Sequence, residues 1–156
     1  MERIDLTELV RQSLAEFTEK FETRNLTTVF EVEGENTVIL ADSRRMWRVV
    51  ENLLNNVSKY AMPNTRVYLK VIEEERNIRL EIKNVSENPL NFKPEELTER
   101  FIRGDVSRSS EGSGLGLSIV KGLVEAQKGE FILELDGDLF KIGIRFEKII
   151  EKEETV

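Results

Sequence analysis

Residues 43–61 read SRRMWRVVENLLNNVSKYA, and this stretch decides what kind of chain it belongs to. Asp42 stands before it as a helix cap and Pro63 follows it, so it predicts one long helix. At 3.6 residues per turn, Met46, Val49, Val50, Leu53, Val57 and Ala61 fall on one apolar stripe. Asn52 and Asn56 lie one turn apart at the edge of that stripe. Arg45 and Lys59 fall near the same polar edge, Tyr60 lies on its apolar side, and Glu51 points to solvent. Asparagine inside a helix costs roughly 0.5 kcal/mol against alanine. Asn52, Asn55 and Asn56 so close together admit two readings, a solvated polar face or a ligand wall. The second has a chemical basis. An amide oxygen is a hard, neutral donor suited to Mg²⁺, which keeps several waters and takes substrate phosphates. Lys59 would balance phosphate charge.

The second informative stretch is EGSGLGLSIVK, residues 111–121. Gly112, Gly114 and Gly116 alternate and then give way to an apolar helix predicted over 115–127. Glycines let a backbone approach a ligand closely. A helix N-terminus adds unpaired N–H groups and a positive dipole end, which together favour an anion. A Walker loop is excluded, because Leu117 follows Gly116 where that motif needs lysine. A dinucleotide fingerprint is excluded too, since its last glycine is replaced by Leu117 and a charged loop precedes it. Taken alone, the segment also reads as a flexible loop.

Around these two stretches the periodicity predicts a regular order. A first helix covers 6–24, capped by Asp5 with Glu8 as in a capping box, and carries Leu6, Leu9, Val10, Leu14, Phe17 and Phe21. Segments 27–33 and 37–41 flank Gly34-Glu35-Asn36 and read as a β-hairpin. Segments 65–73 and 78–83 alternate apolar and polar residues and read as antiparallel strands. Strands 130–135 and 139–146 join through Asp136-Gly137-Asp138. Residues 84–113 keep no period, hold Pro89, Pro94, Gly104 and Gly112, and look briefly helical only over 94–102. Such a stretch inside a domain is functional or mobile. The last six residues should fray. The order predicts an α+β, two-layer α/β sandwich with mostly antiparallel strands and helices on one face.

Composition narrows the chemistry. The 156 residues suit a single domain over 1–156, and 39% apolar content is enough for a core. A net charge of −7 argues against binding nucleic acid or an anionic membrane. The chain has no cysteine, which removes disulfides, thiolate nucleophiles and Cys-based metal sites. It has no histidine, which removes a catalytic triad, a His base, the usual zinc site and any phosphoacceptor imidazole. No run approaches the ~20 apolar residues of a membrane span. Glu2 directly follows Met1, so no signal peptide is read, and a soluble, cytoplasmic chain is expected.

The combination resembles the catalytic, ATP-binding domain of sensor histidine kinases. ENLLNNVSKYA is similar to that family's N box, LTERFIRGD (97–105) to its F box, and EGSGLGLSIVK to its second glycine box; ILADSRRMWRVVENLL matches the usual approach to the N box. The likeness is strong over 38–146 and weaker over 1–37. It implies the Bergerat-type fold shared with gyrase, heat-shock chaperone and mismatch-repair ATPases. That fold has a mixed, mostly antiparallel sheet, about three helices on one face, and a lid over ATP at about 86–113. It also implies roles. Asn56 would ligate Mg²⁺ bridging the ATP phosphates, Asn52 would stand by the phosphate chain, Lys59 would neutralise it, and Tyr60 would line the adenine pocket. Ser113, Gly114, Leu115, Gly116 and Leu117 would form the nucleotide-binding turn, with N–H groups from Gly114 to Leu117 cradling phosphates. Arg103 and Arg108 would be lid cations reaching the γ-phosphate, and Phe101 a hydrophobic lid anchor.

Two departures sharpen this. The first glycine box of the family has Asp and two glycines after a strand, whereas here the strand runs into Asn84-Val85-Ser86-Glu87-Asn88-Pro89. Asn84 aligns with the Asp that accepts a hydrogen bond from the adenine amino group. Its amide can still accept that bond, without charge. The hydrolytic relatives carry a water-activating Glu where Asn52 stands, so this site should hold ATP without hydrolysing it fast. The resemblance thus implies the donor half of a histidine kinase. Its partners would be a histidine-bearing dimerisation domain of the parent kinase, absent from 1–156, and through it a response regulator. The parent would be a membrane-anchored sensor. Two alternatives remain. One is a degenerate nucleotide-binding or protein-interaction module. The other is an anti-sigma serine kinase, against which the F box and second glycine box argue.

Overall fold

The computed structural model describes residues 1–90 and 115–149. The short helix read at 94–102, the F box with Phe101, Arg103 and Arg108, and Ser113, Gly114 and residues 150–156 lie outside the described residues, as does the lid beyond residue 90.

Five strands form the main sheet: β2 (Thr27–Glu33), β4 (Arg66–Glu73), β5 (Asn77–Val85), β6 (Glu130–Asp136) and β7 (Leu139–Glu147). Their spatial order is β2-β4-β5-β7-β6. The β2–β4 pair is parallel and the other three pairings are antiparallel. Four helices are described: α1 (Leu6–Glu16), α2 (Thr18–Thr23), α3 (Ser43–Tyr60) and α4 (Leu115–Ala126). The strands alternate as a one-sided sheet must. On β5, Ile78, Leu80 and Ile82 are buried and join the core that also takes Val50, Leu53 and Leu54 of α3. The opposite face is polar and carries ion pairs. Glu81, 8% exposed, lies 3.6 Å from both Arg79 and Lys141.

The hairpin read at 27–33 and 37–41 does not form. β2 pairs with β4, while β3 (Val38–Ala41) leaves the sheet and pairs antiparallel with a strand that periodicity did not show, β1 (Glu2–Asp5). The cause lies at Gly34, whose φ of 115° turns the chain away. The loop's donors are taken by a side chain instead of a ladder. Glu73 Oε1 accepts the N–H groups of Glu35 at 2.9 Å and Asn36 at 3.1 Å, and Lys148 Nζ donates to Oε2 at 2.9 Å. The Asn36 N–H, then Lys148 and the Glu35 N–H, hold the Glu73 carboxyl at about 2, below its ordinary 4.5. A depressed carboxyl adds stability above its unfolded value. This junction is therefore intact above pH 4.5 and loosens as pH falls toward about 2.

The first helix read over 6–24 is divided at Phe17, where φ is −99° and ψ 3°. The bend lets Phe17 and Phe21 both bury, with tilted rings 6.0 Å apart. Asp5 does cap α1, accepting from the Thr7 N–H at 3.0 Å. Glu8 does not complete a capping box in the described bonds; it pairs with Arg11.

Candidate functional site

The ends of α3 are fixed by neighbours distant in sequence. At its start, Asp42 accepts from the Arg45 N–H at 3.0 Å, the main reason its carboxyl lies below the ordinary value. The Asp42 N–H donates to Gln127 Oε1 at 2.8 Å, and Gln127 Nε2 donates to Leu123 O at 3.0 Å. Buried Gln127 thus pins the end of α4 to the start of α3. At the other end of α3 the chain is stitched to β5. Met62 N–H donates to Val85 O at 2.8 Å and Glu87 N–H to Tyr60 O at 2.9 Å, while Ser86 N–H ties the end of β5 to the β6–β7 turn through Asp138 O at 2.7 Å. Arg24 bridges Ala61 O at 2.6 Å and Glu87 Oε2 at 3.0 Å.

This stitching brings Asn56 of α3 and Asn84 of β5 to one narrow cleft. Its other walls are Leu53, Val57, Ile82, Phe140 and Ile142. The cleft is too tight to hold a water molecule, so a larger ligand enters only as its walls part. Asn84 is 3% exposed. Its Nδ2 donates to Val85 O over a long 3.4 Å, and its Oδ1 has no partner among the described residues. Asn52, half-buried one turn before Asn56, also keeps a buried Nδ2 without a partner among the described residues. An unsatisfied buried polar group costs about 1–3 kcal/mol, and native interiors rarely leave one. Two of them, one acceptor and one donor, fit a polar ligand.

The other expected residues are partly brought in. Lys59 and Tyr60 are half-buried on the last turn of α3. Leu115 opens α4, and a Cβ added at Gly116 would meet nothing within 4 Å among the described residues. Leu117 turns its side chain into the core, which leaves only its backbone for a ligand. Of the three asparagines of α3 singled out, Asn55 leaves the group, accepting instead from Lys20 of α2 at 3.4 Å. Apart from Asn84, the cleft walls from β5 and β7 were missed by motif reading. Their signal was the strand alternation that puts Ile82, Asn84, Phe140 and Ile142 on the inner face.

Among the described residues no three Asp or Glu gather as a metal site. The donor set that remains, one amide oxygen beside a space for an anion, fits Mg²⁺ held largely by water and phosphate. It does not fit a metal caged by protein alone.

The fold is an α+β sandwich with a narrow cleft between one helix and the sheet. The chain matches the family of histidine kinase-, DNA gyrase B-, and HSP90-like ATPases over residues 41–148, and it belongs to that family. It is 33% identical over 134 residues to the sensor protein CzcS of Cupriavidus metallidurans, a match covering 81% of this chain and 28% of that protein. The nucleotide-free catalytic domain of the histidine kinase ThkA has the same fold. The TM-score is 0.80 and the identity 26%, covering 95% of this chain and 97% of that one. ThkA in complex with the response regulator TrrA matches at a TM-score of 0.74 and 25% identity, covering 97% of this chain and 43% of that one. The sandwich expected from the sequence is thus the fold of histidine kinase catalytic domains. Among the described residues no helix is long and apolar enough to cross a membrane.

Proposed function

We propose that this chain binds Mg-ATP and donates the γ-phosphoryl group to a histidine on a separate dimerisation domain. The observation that carries the reading is that two buried amide atoms have no partner among the described residues: Asn84 Oδ1, in the cleft that Asn56 lines, and Asn52 Nδ2, one turn before Asn56 on α3. Asn84 accepts the adenine amino group and Tyr60 lines the base. Asn52 and Lys59 meet the phosphate chain. Asn56 is the protein ligand of Mg²⁺, which supplies charge neutralisation on the phosphates. The turn from Ser113 through Gly114, Leu115, Gly116 and Leu117 offers N–H groups at the start of α4, where the helix dipole favours an anion. The lid over about 86–113 brings Arg103 and Arg108 to the γ-phosphate.

Transfer breaks the bond from the γ-phosphorus to the bridging oxygen, and ADP leaves with the electron pair. A bond forms from phosphorus to the imidazole nitrogen. Such transfer depends mostly on positioning and charge stabilisation. No base of Glu type is needed, which suits Asn52. The partners are the histidine-bearing dimerisation domain of the parent kinase and, through it, a response regulator. The parent is a membrane-anchored sensor with this catalytic domain, residues 1–156, in the cytoplasm. Neither nucleic acid nor the membrane surface is a partner of so acidic a chain.

The direct test is thermal melting with ATP, with and without Mg²⁺. Ligand at 100-fold its dissociation constant stabilises a fold by about 2.7 kcal/mol. At roughly 2–4 °C per kcal/mol the melting point should rise by several degrees. A second reading is favoured by Asn84-Val85-Ser86, which lacks the glycines of the usual first box: a module that no longer binds nucleotide. No shift at millimolar Mg-ATP would select it.

The chain alone should not phosphorylate itself on histidine, since it has none, and should hydrolyse ATP slowly. Given a separate histidine-bearing domain, it should transfer phosphate, slowly, because the tether that raises effective concentration is missing. Arg103→Ala and Arg108→Ala should lower this transfer more than they weaken ATP binding, because the cations meet charge that develops in the transition state. Labelled phosphate on the added domain and parallel binding curves measure both. Equal losses would make these arginines ground-state binders, and fast hydrolysis by the chain alone would overturn the kinase reading.

A further inference from the structure

The Asn84 amide has two properties that bear on which base the site accepts. The first is burial: at 3% exposure, water does not compete for it. The second is that nothing firm holds its orientation. Oδ1 has no partner among the described residues, and Nδ2 is held by a single 3.4 Å contact to Val85 O. A half-turn about the terminal torsion exchanges the oxygen and the NH₂ group, and among the described residues only that long contact opposes it. One orientation presents an acceptor to the cleft and the other a donor.

Purines differ at the same place. Adenine carries an amino donor at its 6-position, and guanine a carbonyl acceptor. Hypoxanthine has the carbonyl without guanine's extra amino group, so inosine triphosphate tests the 6-position without added bulk. A carboxylate could only accept, and would face the 6-carbonyl with no hydrogen to share. The amide meets either base after turning.

We propose that Asn84 relaxes the base specificity of this site, so that it takes 6-oxopurine nucleoside triphosphates as well as ATP. This rests on the reading of Asn84 as the contact to the base edge. ATP stays preferred, because it uses the orientation that keeps the Val85 contact. The preference is modest, because the contact is long.

The test measures dissociation constants for Mg-ATP and Mg-ITP by calorimetry on the whole chain and on two variants. For the parent we expect ITP within about tenfold of ATP. For Asn84→Asp we expect ATP to bind as tightly or more so, and ITP to fall about 100-fold behind, the cost of facing two acceptors in a buried site. Asn84→Leu is close in size and carries neither group, so it should bind both nucleotides more weakly and about equally. It also keeps the comparison open if the Asp variant does not fold. A parent that rejects ITP by more than tenfold overturns the relaxed specificity and leaves the ATP site standing. A parent that binds neither nucleotide overturns the site itself. An Asn84→Leu variant that keeps the parent's affinities shows that Asn84 does not touch the base, and the inference falls with it.

Discussion

Asn56→Ala is expected to abolish the Mg²⁺-dependent part of ATP binding while the fold survives. The residue sits on α3 at the border between the cleft and the apolar stripe, half-buried, so its removal opens no cavity in the core. Alanine is the better helix former by roughly 0.5 kcal/mol, so the free variant should melt no lower than the parent. Nucleotide is where the two should part. With Mg-ATP at 100-fold the parent's dissociation constant, the parent gains about 2.7 kcal/mol. The variant's gain should shrink to what the parent shows with ATP and a chelator. Melting curves of both proteins, with Mg²⁺ and with chelator, give the four values needed. A variant stabilised by Mg-ATP as much as the parent would remove Asn56 as the metal ligand, and Asn52 would become the next candidate.

The second large effect concerns stability. Gly34→Ala is expected to cost about 2–4 kcal/mol, from backbone strain together with a core-like clash. An alanine Cβ there would stand 2.3 Å from Glu73 Cβ and 2.7 Å from Glu73 Oε1, and the φ of 115° already disfavours any side chain. Relief requires the loop or Glu73 to move. Either movement breaks the bonds from Glu35 N–H and Asn36 N–H that let β3 leave the sheet. The melting point should fall by about 5–15 °C at roughly 2–4 °C per kcal/mol. Gly137→Ala is the control. Its φ of 60° is also positive, but an added Cβ meets nothing within 4 Å. It should cost only the ~1 kcal/mol of left-handed backbone. Equal losses at the two positions would show that the contact with Glu73 is not what demands glycine at Gly34.

Much of this was legible in one dimension because helices are local. The stripe of α3 and its Asp42 cap follow from spacing, and so does the edge position of Asn52 and Asn56. Each needs only residues within a turn or two. The strand segments were legible for the same reason, since alternation marks an inner and an outer face within a single strand. Strand partners were not. Segments 27–33 and 37–41 look like a hairpin because they are adjacent and β-rich, yet β2 pairs in parallel with β4 and β3 with β1. Adjacency lowers the entropic cost of loop closure, but the turn at Gly34 and the Glu73 carboxylate outweigh it here. The missed break at Phe17 has a similar origin, because two aromatic side chains seek a core that periodicity cannot place.

By itself, the sequence determined the class of chemistry: amides, glycines and cations suited to phosphate, and no histidine or cysteine to receive a group. It also marked Asn52, Asn56 and Asn84 one by one. Only the tertiary structure decided which of the asparagines lie together. Lys20 draws Asn55 away, and the bonds from Met62 and Glu87 bring the end of α3 to the end of β5. In the sequence, Asn84 stands out only through its alignment with the Asp of the first glycine box. Packed against Phe140 and Ile82 across from Asn56, it becomes a buried acceptor without a partner among the described residues. The physical reason is that hydrogen-bond satisfaction belongs to the folded interior. Whether a polar atom is met by water, by protein or by a ligand is settled only once distant segments have closed around it.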